Sequence, residues 1–273
     1  MQAVLALAAA LVAAASTFDG GRAFRDLSDL VSIGARASHS EGARRARTLI
    51  GERLRQAGFT AREDAFQPGL ANVIGERRGA SDDLVLVVTH FDSRTTPAAN
   101  ESASGPALLL ELARSLSGAD LGATVWLVFL DGHELEHAGS RALAARMERE
   151  GTLARIRALL VIERVGDTDL RLETSVLASR RLLALARSPV LDPIARAHFD
   201  GDHLAFVRKG VREILPLGDP RFGPGDPPGA WTHTPADDLR HVSAASLVRA
   251  GELVRRIVLE VANDSRVDLH APP

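Results

Sequence analysis

The 273-residue chain contains no cysteine. Disulfides, thiolate zinc sites, a cysteine nucleophile and a lipoprotein anchor are thereby excluded. Neither sign of charge is in excess: 33 Lys and Arg oppose 35 Asp and Glu, a formal net charge of −2, and no long basic run occurs. Nucleic-acid binding is therefore not suggested. Past the N-terminus no apolar run is long enough to span a bilayer, and neither an internal repeat nor an interdomain linker is found. With 45% apolar and 25% charged residues, the chain is long enough for one large α/β domain with a well-buried core. Residues 16–266 are the candidate for it.

Met1 to Ser16 are rich in Ala, Leu and Val, and the apolar run from Ala3 to Ala15 is too short for a transmembrane helix. It reads as the h-region of a secretory signal with a cleavage site at Ala13-Ala14-Ala15, although only Met1-Gln2 precede it and no basic residue does. The expectation is that residues 1–15 are a signal peptide. The product would be secreted or periplasmic, monomeric and without stable membrane association. Residues 267–273 read as a loose tail.

Helical and strand patterns alternate along the rest. Between Ser40 and Ala57, residues Ala43, Ala46, Leu49, Ile50 and Leu54 recur at spacings of three and four, with Gly58 as a stop. That is an amphipathic helix. Leu84 to Thr89 and Ala123 to Leu130 are continuous β-rich runs, suited to the buried centre of a mainly parallel sheet. Pro106 to Leu116 and Gly139 to Met147 read as helices packed on it. Farther on, Ala158 to Ile162 and Leu170 to Glu173 read as strands, and Ser179 to Ala186 as a short helix. Val211 to Leu217 reads as a strand that Arg212 and Glu213 place at an edge. Asp219 to Ala230, with its prolines and glycines, is a loop, and Ser243 to Asn263 a long amphipathic helix.

Metal-ligand chemistry gathers at the ends of these runs. Thr89-His90-Phe91-Asp92, Gly132-His133-Glu134 and Trp231-Thr232-His233 each follow a strand-like stretch, and Asn100-Glu101 precedes a helix. An open α/β sheet brings such segments together at the carboxyl ends of its strands. Asp92 and Asp237, two and four residues after a candidate ligand histidine, are placed to orient an imidazole through its second nitrogen. Histidines 39, 198, 241 and 270 read as surface residues. His133-Glu134-Leu135-Glu136-His137 also matches His-Glu-x-x-His, which on a helix binds zinc through both histidines. The strand-like run before it and the Asp131-Gly132 break point instead to a strand-to-helix turn.

At these residues the chain resembles the zinc aminopeptidase-like superfamily and, within it, the animal-type glutaminyl-peptide cyclotransferases. The resemblance runs from about Ser38 to Ala262. It is strongest at Thr89-His90-Phe91-Asp92-Ser93-Arg94, Leu108 to Leu116, Phe129-Leu130-Asp131-Gly132, Gly139 to Ala144, Asp202 to Val211 and His233-Thr234-Pro235-Ala236-Asp237. It implies a three-layer α/β/α sandwich around a mixed, mostly parallel sheet. One zinc is implied for a cyclotransferase, and a second for an aminopeptidase. By position, Glu101, Glu134 and His233 match the ligands of the single zinc, and His90 and Glu163 the extra ligands of a second. Trp231 lies one residue from a substrate-packing tryptophan.

The departures from the family pattern concern proton transfer. Glu101 stands where the family has aspartate, His133 where it has its catalytic glutamate, and Glu163 where it has aspartate. Gly201 falls at an acidic position and Leu215 at a histidine. The candidate catalytic set is then His133, Glu163 and Asp202, with Trp231 for substrate. Three functions follow: a zinc-dependent glutaminyl cyclase acting on peptide or protein N-termini, a zinc aminopeptidase of the same fold, and a catalytically silent relative that binds peptides.

Overall fold

The structure, a computed structural model, describes residues 18–197, 201–225 and 229–264. The expected signal peptide, the tail, His198 and His270 lie outside these residues. Eight strands form one sheet in the order β1-β2-β4-β3-β5-β8-β6-β7: β1 (Thr60–Gln67), β2 (Leu70–Arg77), β3 (Ser81–His90), β4 (Ala123–Leu130), β5 (Ile156–Glu163), β6 (Leu172–Ser175), β7 (Leu191–Ala197) and β8 (Ile214–Gly218). The central neighbours β4-β3, β3-β5 and β5-β8 are parallel, as are β6 and β7, whereas β1-β2, β2-β4 and β8-β6 are antiparallel. This is the mixed, mostly parallel sheet that the resemblance implied.

Side-chain alternation along the central strands builds a core on each face. Val85 and Val87 of β3, with Val125 and Leu127 of β4, pack with α1 (Gly20–Ser32), α2 (Glu41–Gln56), α3 (Ser104–Ser115) and α7 (Ala244–Ala262). Leu84, Leu86 and Val88, with Trp126 and Val128, face the other way, toward α4 (Ala138–Arg149) and α6 (His203–Val207). Because both faces are covered, the strands carry apolar residues at nearly every position, and each fully buried Leu or Val contributes roughly 1.5–3 kcal/mol. The three layers are therefore helix, sheet and helix. Among the described residues, no helix is long and apolar enough to cross a membrane.

Local signals set the element ends. Ser40 caps α2 by accepting a hydrogen bond from Ala43 N at 3.0 Å, and Gly58 at φ +82 follows its end. One expectation is corrected: β8 is an interior strand between β5 and β6, and all five of its residues are buried. Arg212 and Glu213 precede the strand, where Glu213 accepts hydrogen bonds from Ser179 and Arg181, so their charge never enters the sheet. Strands β1, β2 and β7 and helices α1 and α6 have no counterpart in the sequence-based element assignment, whereas the short helix expected at Ser179 to Ala186 is α5 (Arg180–Leu185). β1 is mostly exposed and polar (Thr-Ala-Arg-Glu-Asp-Ala-Phe-Gln), so it lacks the apolar pattern of the central strands.

The start of α3 lies hard against the sheet at Gly105. A Cβ there would sit 2.9 Å from the Ile162 carbonyl oxygen and also collide with the Thr89 hydroxyl. Gly105→Ala should therefore push α3 off β3 and β5 and cost about 1–3 kcal/mol, the usual scale of overpacking. Urea unfolding measures this, and wild-type stability in the variant would contradict the packing argument.

Candidate metal centre

The parallel strands β3, β4 and β5 end on the same side of the sheet, and the segments leaving them carry the candidate ligands. His90 is the last residue of β3 and wholly buried. Glu101 lies in a π-helical turn, Ala99–Ala103, entered through Ala98 in the left-handed region at φ +47. Asp237 fixes that turn by accepting hydrogen bonds from Asn100 N at 2.6 Å and Glu101 N at 3.1 Å. Burial pushes the Asp237 carboxyl up to about 6, although those two N–H groups oppose the shift. Its partner is thus the Glu101 backbone, and the expectation that it orients the His233 imidazole is corrected.

After β4 the chain turns through Asp131 and Gly132, the latter at φ +70. Asp92 holds the turn: its two carboxylate oxygens accept from His133 N at 3.1 Å and Glu134 N at 3.0 Å. The His90 Nδ1 also lies 3.2 Å from the Asp92 carbonyl oxygen and 3.6 Å from its carboxylate. Asp92 therefore locks two segments together, a wider role than orienting His90. Asp131 meets Arg47 at 2.9 Å and accepts from Ala71 N, while burial and the nearby Asp92 raise its carboxyl to about 6.

Residues 133–137 form a turn, so no helix runs through His-Glu-x-x-His. The turn still closes one i to i+4 hydrogen bond, from His137 N to His133 O at 3.0 Å, before Glu136 and His137 go left-handed at φ +55 and +58. One turn is enough to bring the two imidazoles together, with Nδ1 atoms 3.3 Å apart. Glu134 goes elsewhere, toward His233.

Glu101, Glu134 and His233 bring one ligand atom each within 4.8 Å of one another. His233 Nε2 lies 2.9 Å from Glu134 Oε1 and 3.7 Å from Glu101 Oε1. His233 is itself left-handed at φ +62, a cost that the surrounding turn, with Thr234 N bonded to Trp231 O at 3.1 Å, sustains. Two features fit this trio to a divalent cation. Glu101 Oε2 is buried without a hydrogen-bond partner among the described residues, and Glu134 Oε1 makes no aligned hydrogen bond despite its closeness to His233. Two carboxylates and one imidazole also match the charge and donor type of a catalytic zinc and leave a position open. Burial opposes charge on Glu101, yet His90 and His233 outweigh it and hold the carboxyl well below its usual range.

His90 Nε2 reaches Glu101 Oε1 at 3.2 Å, and its ring stacks on His133 at 3.8 Å between centroids. His90, Glu101 and His133 form a second compact group, and His133, His137 and Asp202 a third. Among the described residues, no such group includes Glu163. It sits buried at the end of β5 beside Gly201, where a Cβ would lie 3.5 Å from its Oε1. Asp202, wholly buried, meets His133 Nδ1 at 2.9 Å. Burial and His90 disfavour charge on His133, but Asp202 outweighs both, so its pKa is raised.

Trp231 is half-buried and packs on His241 with ring centroids 3.8 Å apart and planes tilted by 32°, with Phe222 against it edge-on. His241 is thus an aromatic support for Trp231 as well as a partly exposed surface residue. Three contributors were missed in the sequence. Arg94, 57% exposed, donates from Nε to Glu134 Oε2 at 2.7 Å; it stands in the strongest resemblance segment but has no assigned role there. His137 was visible only as part of the helix motif. Arg36, wholly buried behind the site, has no local signal at all.

Residues 72–258 match Peptidase family M28. The chain belongs to that family. It is similar to the aminopeptidase YwaD of Bacillus subtilis, 26% identical over 210 residues that make up 71% of this chain and 45% of that protein. The chain thus spans about half the length of this relative. Among solved structures, a glutaminyl cyclase from an Acidobacteriales bacterium superposes with a TM-score of 0.80 at 25% identity, covering 90% of this chain and 95% of that one. A zinc aminopeptidase from Bacillus subtilis gives 0.79 at 16% identity, covering 93% and 98%, and shares the fold.

Asp92→Ala strips the backbone N–H groups of His133 and Glu134 of their acceptor. Zinc affinity, measured by competition with a chelator, should fall about 10- to 100-fold, as for other residues that orient metal ligands. Asp92→Asn keeps one acceptor oxygen and should lose less. Wild-type affinity in Asp92→Ala would refute the orienting role.

Proposed function

We propose that the protein is a zinc-dependent enzyme acting on peptide N-termini, of glutaminyl cyclase type, converting an N-terminal glutamine to pyroglutamate with release of ammonia. The observation that carries this is the pairing of two units. Glu101, Glu134 and His233 make a zinc-ligand trio from which Glu163 is absent, and beside it His133, at the catalytic position, is held by Asp202. The similarity to a solved glutaminyl cyclase over nearly the whole of both chains supports the same reading.

Zinc bound by the trio would supply Lewis acidity to the γ-amide carbonyl. The remaining work falls to side chains. Asp202 accepts the Nδ1 proton of His133, which leaves Nε2 as the basic nitrogen, the orienting logic of a carboxylate behind a catalytic imidazole. His133 then takes a proton from the substrate α-amine as that nitrogen bonds to the γ-amide carbon, and returns it to the departing nitrogen. The C–N bond to the amide nitrogen breaks, and ammonia leaves. A neutral imidazole has the right basicity for this transfer near neutral pH. Trp231, braced by His241 and Phe222, offers an aromatic face beside His233 for the substrate side chain.

A second reading, peptide-bond hydrolysis, is favoured by the 26% identity to an aminopeptidase, because the same His133 and Asp202 pair can take a proton from water. One substrate separates them. A Gln-initiated peptide incubated with protein reconstituted with one equivalent of Zn²⁺ per chain should yield the pyroglutamyl peptide and one ammonia per turnover. Release of free glutamine would establish hydrolysis instead, and an intact peptide after long incubation would leave the silent, peptide-binding relative. His133→Ala should lower kcat by roughly 10²-fold or more, and His133→Glu, which restores a carboxylate, should recover turnover.

A further inference from the structure

Beyond the trio that serves the proposed reaction, a separate set of donors converges on one point. His133 Nδ1 and His137 Nδ1 are 3.3 Å apart, His133 Nδ1 and Asp202 Oδ2 2.9 Å, and His137 Nδ1 and Asp202 Oδ1 3.6 Å. We propose that His133, His137 and Asp202 form a second metal site, selective for a borderline divalent transition ion such as Zn²⁺. It is displaced from the position that the family resemblance assigns to His90 and Glu163.

The separations suit the ion. Tetrahedral zinc, with ligands at about 2.1 Å, holds its donor atoms about 3.4 Å apart, within the observed range. The donor set, two imidazoles and one carboxylate, is of a type that binds first-row transition ions and leaves coordination positions open. Nδ1 protons satisfy it less well. If both imidazoles donate to Asp202, two N–H groups confront each other at 3.3 Å; if only one does, one nitrogen lone pair faces the carboxylate. A cation between the three atoms removes the conflict. Asp202 points the same way: it is 1% exposed, and its Oδ1 is buried with no hydrogen-bond partner among the described residues. The His137 side chain is 22% exposed, so an ion can enter from solvent.

An ion on Nδ1 of His133 confines the ring proton to Nε2, which makes that nitrogen a donor. Metal binding and proton acceptance therefore exclude each other at this residue, and filling the second site suspends turnover. Only this consequence rests on the proposed reaction; the metal site stands without it.

Apo full-length protein, equilibrated with Zn²⁺ and analysed for metal content and by titration calorimetry, should bind two ions per chain. His137→Ala should bind one, with the other weakened more than about 100-fold, and the ion that remains should be lost on adding His233→Ala. Asp202→Asn, nearly isosteric, should weaken the second ion in the same way and guards against a folding artefact. In the Co²⁺ form the visible band should lose one component in His137→Ala. Two ions retained in both single variants, or a single wild-type ion that His137→Ala leaves untouched, would overturn the proposal. In the latter case, if His233→Ala removes that ion, the proposed reaction still stands. A single ion lost in His137→Ala but kept in His233→Ala would support this site and defeat the reading of the first.

Discussion

A guanidinium sealed inside the protein holds the candidate site together. Arg36 has no exposed surface, and burial lowers its pKa to about 10, with Glu101, Asp92 and Asp237 opposing that fall. It therefore keeps its charge at neutral pH. Its donors reach the carbonyl oxygens of Phe91 at 2.8 Å and Pro97 at 2.7 Å and the Ser102 hydroxyl at 2.9 Å, along with the carbonyls of Leu30 and Gly34. Phe91 adjoins His90 and Asp92, and Ser102 adjoins Glu101, so one side chain ties the end of β3 to the π-helical turn. An unpaired charge so deep costs several kcal/mol, which makes the carboxylates and the cation mutually necessary.

The site in front of Arg36 is richer in acid than that one cation can balance. Asp92 and Asp237 are consumed by backbone N–H groups, and Asp131 by Arg47. Glu101, Glu134 and Asp202 face histidines, which carry compensating charge only when protonated. Arg94 reaches Glu134 from an exposed position where water weakens the attraction. The geometry therefore holds carboxylates in register at sites where their charge is only partly answered. That is the electrostatic condition under which divalent cations bind.

How much of this could be read from the sequence depended on range. The central strands were legible because burial on both faces writes itself as unbroken apolar runs, and α2 because its stripe and its Ser40 cap are local. Strand-like runs before them place His90, His133 and Glu134 at sheet ends, whereas the grouping of Glu101, Glu134 and His233 as one ligand set comes from the family resemblance. β1 escaped notice because an exposed edge strand owes its structure to pairing with β2, and Arg36 because its partners come from residues 30 to 102. Asp237 reads from the sequence as an orienting acid, but the group it orients is not its near neighbour. Four residues of sequence separation suggested His233, whereas the fold carries Asp237 across to Asn100 and Glu101.

His133 shows why one substitution need not silence a site. A glutamate at this position would bring its own negative charge to the proton it accepts. An imidazole brings none, but Asp202 lies 2.9 Å behind it, so the carboxylate has in effect moved back by the length of a ring. The pair retains the net charge of a single glutamate while presenting a nitrogen with pKa nearer neutrality to the reacting atoms. The exchange also creates something a glutamate does not have, a second basic atom facing away from substrate. Because that atom meets His137, the residue that replaces the usual base also opens a new place for a metal, and the two uses of the ring must compete.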